Sequence, residues 1–153
     1  MSETSYPKSE QELLQRLQIA RDPREHVSKE LLVAAILPDE VKVDMASRTI
    51  LYRYTLEPWM QNCNRVLHGG MAATLLDLSC GLFVRAWSGR MGCVTSNLNI
   101  SYLRPVNMDQ PYYVRVRIES CGKNLSTTHA CAWQDKGEDA LCNTANATFF
   151  LKD

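Results

Sequence analysis

The segment Asn62 to Asp77, N-C-N-R-V-L-H-G-G-M-A-A-T-L-L-D, holds the residues of this chain best suited to chemistry. His68-Gly69-Gly70 precedes a run from Met71 to Trp87, rich in Ala, Leu and Met, that predicts a helix. The first N–H groups of a helix have no intrahelical acceptor and lie at the positive end of its dipole. That end suits an anion or a developing oxyanion, and glycine lets a ligand approach the backbone closely. A glycine pair at a helix start is also an ordinary turn. Asp77 is a second signal, because it falls between Leu76 and Leu78, where Asp has poor propensity and burial is costly. At spacings of three and four, its face reads Gly70, Ala73, Thr74, Asp77, Cys80 and Gly81, nearly all small, opposite a stripe of Met71, Leu75, Leu78 and Leu82. Small residues around one carboxylate can admit a substrate or a second backbone; the alternative is a partly exposed Asp on a solvent-facing stripe. Gly69 and Asp77 are eight residues apart, which is about 12 Å of helical rise. If both act on one atom, the carboxylate must come from a second subunit across a two-fold axis.

The elements that would position these residues follow from periodicity. Ser9-Glu10-Gln11-Glu12 has the form of a capping box, with Leu13, Leu14 and Leu17 behind it and Asp22-Pro23 as the stop. A second helix is expected from Glu25 to Ile36, carrying Leu31, Leu32 and Ala35 and ending before Pro38. Then the period changes to two. Val41, Val43 and Met45 alternate with polar or small neighbours, as do Ile50, Tyr52 and Tyr54 after a turn near Ser47-Arg48, giving a hairpin. Trp59 to Arg65 reads as a loop, and Ser88-Gly89 ends the long helix. Four further strands are expected at Gly92–Leu103, Tyr112–Cys121, Leu125–Gln134 and Ala140–Leu151, with Lys136-Gly137 in the last turn. Consecutive strands on tight turns argue for an antiparallel sheet, and one long helix must cover its face. This is an α+β domain.

Asn62, His68-Gly69-Gly70 and Asp77, followed by the strand V-T-S-N-L-N-I-S-Y-L-R-P from Val94 to Pro105, resemble the hotdog-fold acyl-CoA thioesterases of the phenylacetate-degradation type. The resemblance covers about residues 25 to 152, so residues 1–24 read as an N-terminal helical extension and 25–153 as the hotdog domain. It implies a sheet wrapped around the helix Met71–Trp87, and a homodimer or a dimer of dimers. It also implies that the Gly69 N–H polarises the thioester carbonyl, with Gly70 beside it, while His68 and Asn62 orient thioester or water. Asp77 would come from the partner subunit as general base or nucleophile, and Thr95 would hold the attacking water. No metal or organic cofactor is implied, since coenzyme A is part of the substrate. Gly70, Asn97, Arg104, Lys123 and Asn124 are the residues expected to contact substrate or coenzyme A. Arg65 departs from the pattern, standing where such proteins often have Gly.

Charge and composition narrow the rest. Lys plus Arg equals Asp plus Glu at 17 each, which argues against a nucleic-acid binder. Between Arg85 and Lys123, however, Arg85, Arg90, Arg104, Arg115, Arg117 and Lys123 face only Asp109 and Glu119, a local excess that suits phosphates. Arg115 and Arg117 alternate along one strand and read most simply as a solvent face. The apolar run Leu31 to Leu37 is far short of the roughly 20 residues that cross a membrane. No signal peptide is visible, so a cytoplasmic protein without membrane contact is expected. The cysteines at 63, 80, 93, 121, 131 and 142 lack metal-ligand spacing, and His26 and His129 complete no nucleophile–base pair. Two other readings stay open: a non-catalytic acyl-CoA-binding module, and a hotdog hydratase or dehydratase.

Overall fold

Ser9 starts the first helix as its sequence predicts, its Oγ accepting from Glu12 N at 3.2 Å. Glu12 Oε2 reaches back to Lys8 N at 2.9 Å, one residue before the position that usually completes a capping box. The computed structural model describes residues 6–21, 35–90, 92–135 and 137–152. Helix α1 (Glu10–Arg21) buries Leu13 and Leu17 against the long helix α2 (Gly69–Ser88), and both leucines belong to the same core as the sheet. The helix expected over Glu25–Ile36 falls mainly on residues 22–34, outside the described residues.

Among the described residues six strands form one antiparallel sheet: β1 (Glu40–Asp44), β2 (Thr49–Tyr54), β3 (Gly92–Tyr102), β4 (Tyr112–Cys121), β5 (Leu125–Trp133) and β6 (Asn143–Lys152). Their order is β1-β2-β4-β5-β6-β3, which leaves β3 at an edge. The expected strand from Ala140 begins later, because Glu138–Ala140 is a turn of 3-10 helix. Alternation decides what faces α2. Val114, Val116 and Ile118 from β4, Ala130 and Ala132 from β5, and Ala145, Ala147 and Phe149 from β6 are all buried. The four alanines leave room for α2 to pack closely on β5 and β6. A buried hydrogen bond of 2.8 Å joins Tyr54 Oη to Ser79 Oγ, which itself donates to Leu75 O at 2.7 Å, fixing the helix against the sheet. Gly89 ends α2 in the left-handed region (φ 70°), as its lack of a Cβ allows.

The edge strand carries one irregularity with large consequences. Thr95 pairs with Phe149 but Asn97 pairs with Thr148, so Ser96 is an extra, bulged residue. A regular strand would send Thr95 and Tyr102, seven residues apart, to opposite faces. The bulge reverses the parity. Cys93 and Thr95 face α2 before it, and Leu98, Ile100 and Tyr102 do so after it.

Candidate active site

The loop from Asn62 to Leu67 is built on the Asn62 side chain. Its Oδ1 accepts from Asn64 N (2.8 Å) and Val66 N (3.3 Å), while Arg65 N donates to Asn62 O (3.0 Å). Closing this turn puts Arg65 at φ 61°, the left-handed region that glycine tolerates and other residues resist. Arg65 therefore stands, in place of the Gly that the resemblance leads one to expect, at a position whose backbone favours Gly. Arg65→Gly is expected to raise stability by about 1 kcal/mol, measured as a higher denaturation midpoint with an unchanged slope. The loop is held from outside by Leu67 N to Val106 O (2.9 Å) and His68 N to Met60 O (2.8 Å).

His68 is the N-cap of α2. Its extended backbone (φ −61°, ψ 134°) turns Nδ1 onto Gly70 N at 3.0 Å. A Cβ at residue 70 would lie 3.1 Å from that Nδ1, so glycine there makes room for the capping ring. The His68 carbonyl accepts from Met71 N (2.8 Å) and Ala72 N (3.0 Å). The consequence is selective. The Gly70 N–H is occupied, whereas the Gly69 N–H has no acceptor among the described residues. That N–H shares its peptide with a carbonyl that already accepts two hydrogen bonds, which polarises it further as a donor. Tyr102 Oη donates to Gly69 O at 3.0 Å, so the Gly69–Gly70 peptide is clamped at its oxygen by Tyr102 and at its N–H by His68.

A cavity of about 350 Å³ opens at Gly69, with Asn62, Tyr102, Arg104 and Asn143 among its polar lining. The Arg104 guanidinium donates to Leu141 O at 2.7 Å, which steadies it at the rim. Tyr102 and Asn143 were not singled out from the sequence. Asn143 could have been, as a polar residue in register with the inward-facing Ala145 and Ala147.

Asp77 is partly exposed, and its Oδ1 accepts from Thr95 Oγ1 of the same chain at 2.8 Å. Thr95 thus holds the carboxylate directly. Helix α2 is continuous from Gly69 to Ser88, so Asp77 remains a long step from the Gly69 N–H within one chain. The stripe around Asp77 is narrower than the spacing suggested, because Cys80 turns fully into the core. Burial pushes the Cys80 thiol up to about 12, which removes it as a nucleophile.

Three expected contacts lie elsewhere. Asn97 follows the bulge and pairs with Thr148 on the sheet face turned away from α2. Lys123 and Asn124 form the β4–β5 turn, at the Gly89 end of the helix: Lys123 O accepts from Arg90, and Asn124 O accepts from Leu151 N at 2.8 Å. They are separated from Arg104 by the length of α2, about 30 Å for its 20 residues. The expected solvent face at Arg115 and Arg117 also differs in part. Arg117 is exposed and pairs with Glu119, but Arg115 is half-buried, packed over the Trp133 ring at 5.2 Å and paired with Glu138. Among the described residues, no three His, Cys, Asp or Glu side chains gather as metal ligands, and no helix is long and apolar enough to cross a membrane.

Comparison with known proteins places this geometry. No curated protein matches the chain. Zebra fish thioesterase superfamily member 2 has a similar structure, with a TM-score of 0.72 at 20% identity over 92% of this chain and 98% of that one. A phenylacetic acid degradation-related protein from Ralstonia eutropha JMP134 gives 0.70 at 25% identity, over 89% and 99%. A hypothetical thioesterase protein from Streptococcus pneumoniae TIGR4, solved with coenzyme A, gives 0.63 at 21% identity, over 74% and 87%. That protein has also been solved with an Asp, and with a Thr, replaced by Ala. The six-stranded antiparallel sheet around a long helix is the hotdog fold that the resemblance implied. The model of the thioesterase superfamily matches residues 64–141, from the loop before His68 to the start of the last strand's approach, and the chain belongs to that superfamily.

Proposed function

We propose that this protein hydrolyses acyl-CoA thioesters to a free acid and coenzyme A, at sites shared between two copies of the chain. The observation that carries the reading is the one N–H left without an acceptor at the start of α2, opening on a cavity at Gly69. A thioester carbonyl seated there would accept from Gly69 N–H, and the bond would strengthen as negative charge develops on oxygen. Asp77 supplies the other half. As a general base it takes a proton from water while the oxygen adds to the carbonyl carbon; as a nucleophile it adds directly and water then releases the acid. In either course the C–S bond breaks, and the leaving thiolate of coenzyme A is protonated.

The dimer follows from symmetry. Gly69 and Asp77 lie equally far from Ala73 on α2, and their strand partners Tyr102 and Thr95 lie about Leu98 and Asn99 on β3. The outer backbone edge of β3 is unpaired among the described residues, a template for another strand. An antiparallel pair of β3 strands about that midpoint brings each Asp77 to the partner's Gly69. The same axis joins the separated cations. Arg104 of one copy then lies about three strand spacings, about 14 Å, from the Lys123–Asn124 turn of the other. That reach suits the extended, phosphate-bearing coenzyme A moiety. The Asp and Thr replaced in the Streptococcus pneumoniae relative are the residue types that meet here as Asp77 and Thr95. A hydratase would need His68 paired with an acid, whereas its Nδ1 is engaged by Gly70 N–H.

Free-thiol release from a panel of acyl-CoAs, short and long, aliphatic and aromatic, tests the reading. Turnover of at least one is expected. A folded, oligomeric protein that releases no thiol from any of them contradicts it.

A further inference from the structure

We propose that Asn143 is a specificity-determining residue, donating a hydrogen bond to an oxygen on the acyl group, so that the cavity selects short oxygen-bearing acyl-CoAs over plain aliphatic ones of equal length. This rests on the thioesterase reading and adds the class of acyl group to it.

Asn143 opens β6 and is only 1% exposed, yet it lines the cavity beside Gly69 and Tyr102. Its backbone is fixed by pairing with Tyr102 on one side and Ala132 on the other. Its side chain is fixed at one end, where Oδ1 accepts from the buried Tyr112 Oη at 2.8 Å. Burial pushes the Tyr112 phenol well up, so it stays protonated and donates. With the oxygen so engaged, the amide nitrogen is turned away from Tyr112. No hydrogen bond joins that Nδ2 to any described residue. Asn143 Nδ2 is not sealed inside the core, since its residue lines the cavity, and there it is a donor open to a bound group. Much of the cavity lining is apolar, and Val66, Ala72, Leu103 and Val106 offer no side-chain acceptor. A ligand oxygen would supply one. Within one chain the cavity is at the small end for ligand sites, with room for a short acyl group.

Sites built to hydrogen-bond a substrate group discriminate strongly against the analogue lacking it, because the site's own donor is then left unpaired. The test uses the full chain with butanoyl-CoA and hexanoyl-CoA and with their counterparts carrying a hydroxyl or keto oxygen at successive chain positions. For at least one oxygen position, kcat/KM is expected to exceed that of the plain ester by about tenfold or more. The double variant Tyr112→Phe/Asn143→Leu replaces both hydrogen-bonding partners with apolar groups, the exchange least disruptive to folding. In it the ratio should fall to near one. Both rates in that ratio come from one preparation, so loss of folded protein cancels.

Non-hydrolysable thioether analogues of the same pairs, titrated calorimetrically, separate this proposal from the hydrolysis itself. Tenfold tighter binding of the oxygenated analogue, lost in the double variant, supports the assignment even if no ester is hydrolysed. Equal kcat/KM and equal affinity at every oxygen position in the wild type overturns it, as does an undiminished ratio in the double variant or a failure of every analogue to bind.

Discussion

Asp77→Asn is expected to lower acyl-CoA hydrolysis by about 10²–10⁴, the usual contribution of general acid–base catalysis, while leaving fold and assembly intact. The carboxylate accepts one hydrogen bond from Thr95 Oγ1 at 2.8 Å and is partly exposed. An Asn side chain has nearly the same shape and keeps an oxygen for Thr95, so the substitution removes charge and basicity without opening a cavity. Steady-state rates with the best acyl-CoA, alongside circular dichroism and sedimentation of the variant, check this. Near wild-type turnover by a correctly assembled Asp77→Asn protein removes Asp77 from the chemistry in either role.

The second large effect is expected from Gly69→Pro. Gly69 is the first residue of α2, where proline is favoured because its missing N–H had no intrahelical acceptor. His68 already has the extended backbone that a residue before proline requires. A Cβ at position 69 would meet the Tyr102 ring at 3.6 Å, an ordinary contact. The substitution therefore deletes the proposed oxyanion donor with little disturbance of the helix. Loss of one such donor lowers kcat by roughly 10²–10³, and the expected thermal midpoint is close to that of the wild type. An active Gly69→Pro protein would mean that the carbonyl is held elsewhere.

The strands were largely legible because alternation reports burial. Tyr112–Cys121 coincides with its expected span, and β1 and β2 straddle the anticipated turn. Helix α2 begins two residues before the expected Met71, since glycines hide a first turn that a histidine, not a usual capping residue, then stabilises. The candidate site was legible in its local part. His68, Gly69 and Asn62 gather within one loop and helix start, and their spacing alone showed that Asp77 is too far away to join them. What depends on the sheet was not legible. The bulge at Ser96 leaves no compositional mark, yet it decides that Thr95 reaches Asp77, that Tyr102 reaches Gly69, and that Asn97 faces away. Arg104 and the Lys123–Asn124 turn are close in sequence, but the antiparallel path of β3 and β4 carries them to opposite ends of α2.

The shared site is the central claim, and complementation between two inactive variants tests it most directly. Asp77→Asn and Gly69→Pro chains, differently tagged and each inactive alone, are mixed in equal amounts under conditions that allow subunit exchange. Each heterodimer then carries one site with wild-type Gly69 from one chain and wild-type Asp77 from the other, while its second site holds both lesions. Random exchange makes half of the dimers mixed, so recovery of about a quarter of the wild-type rate is the expected result. Heterodimers confirmed by both tags that show no recovered hydrolysis would contradict a site shared between subunits.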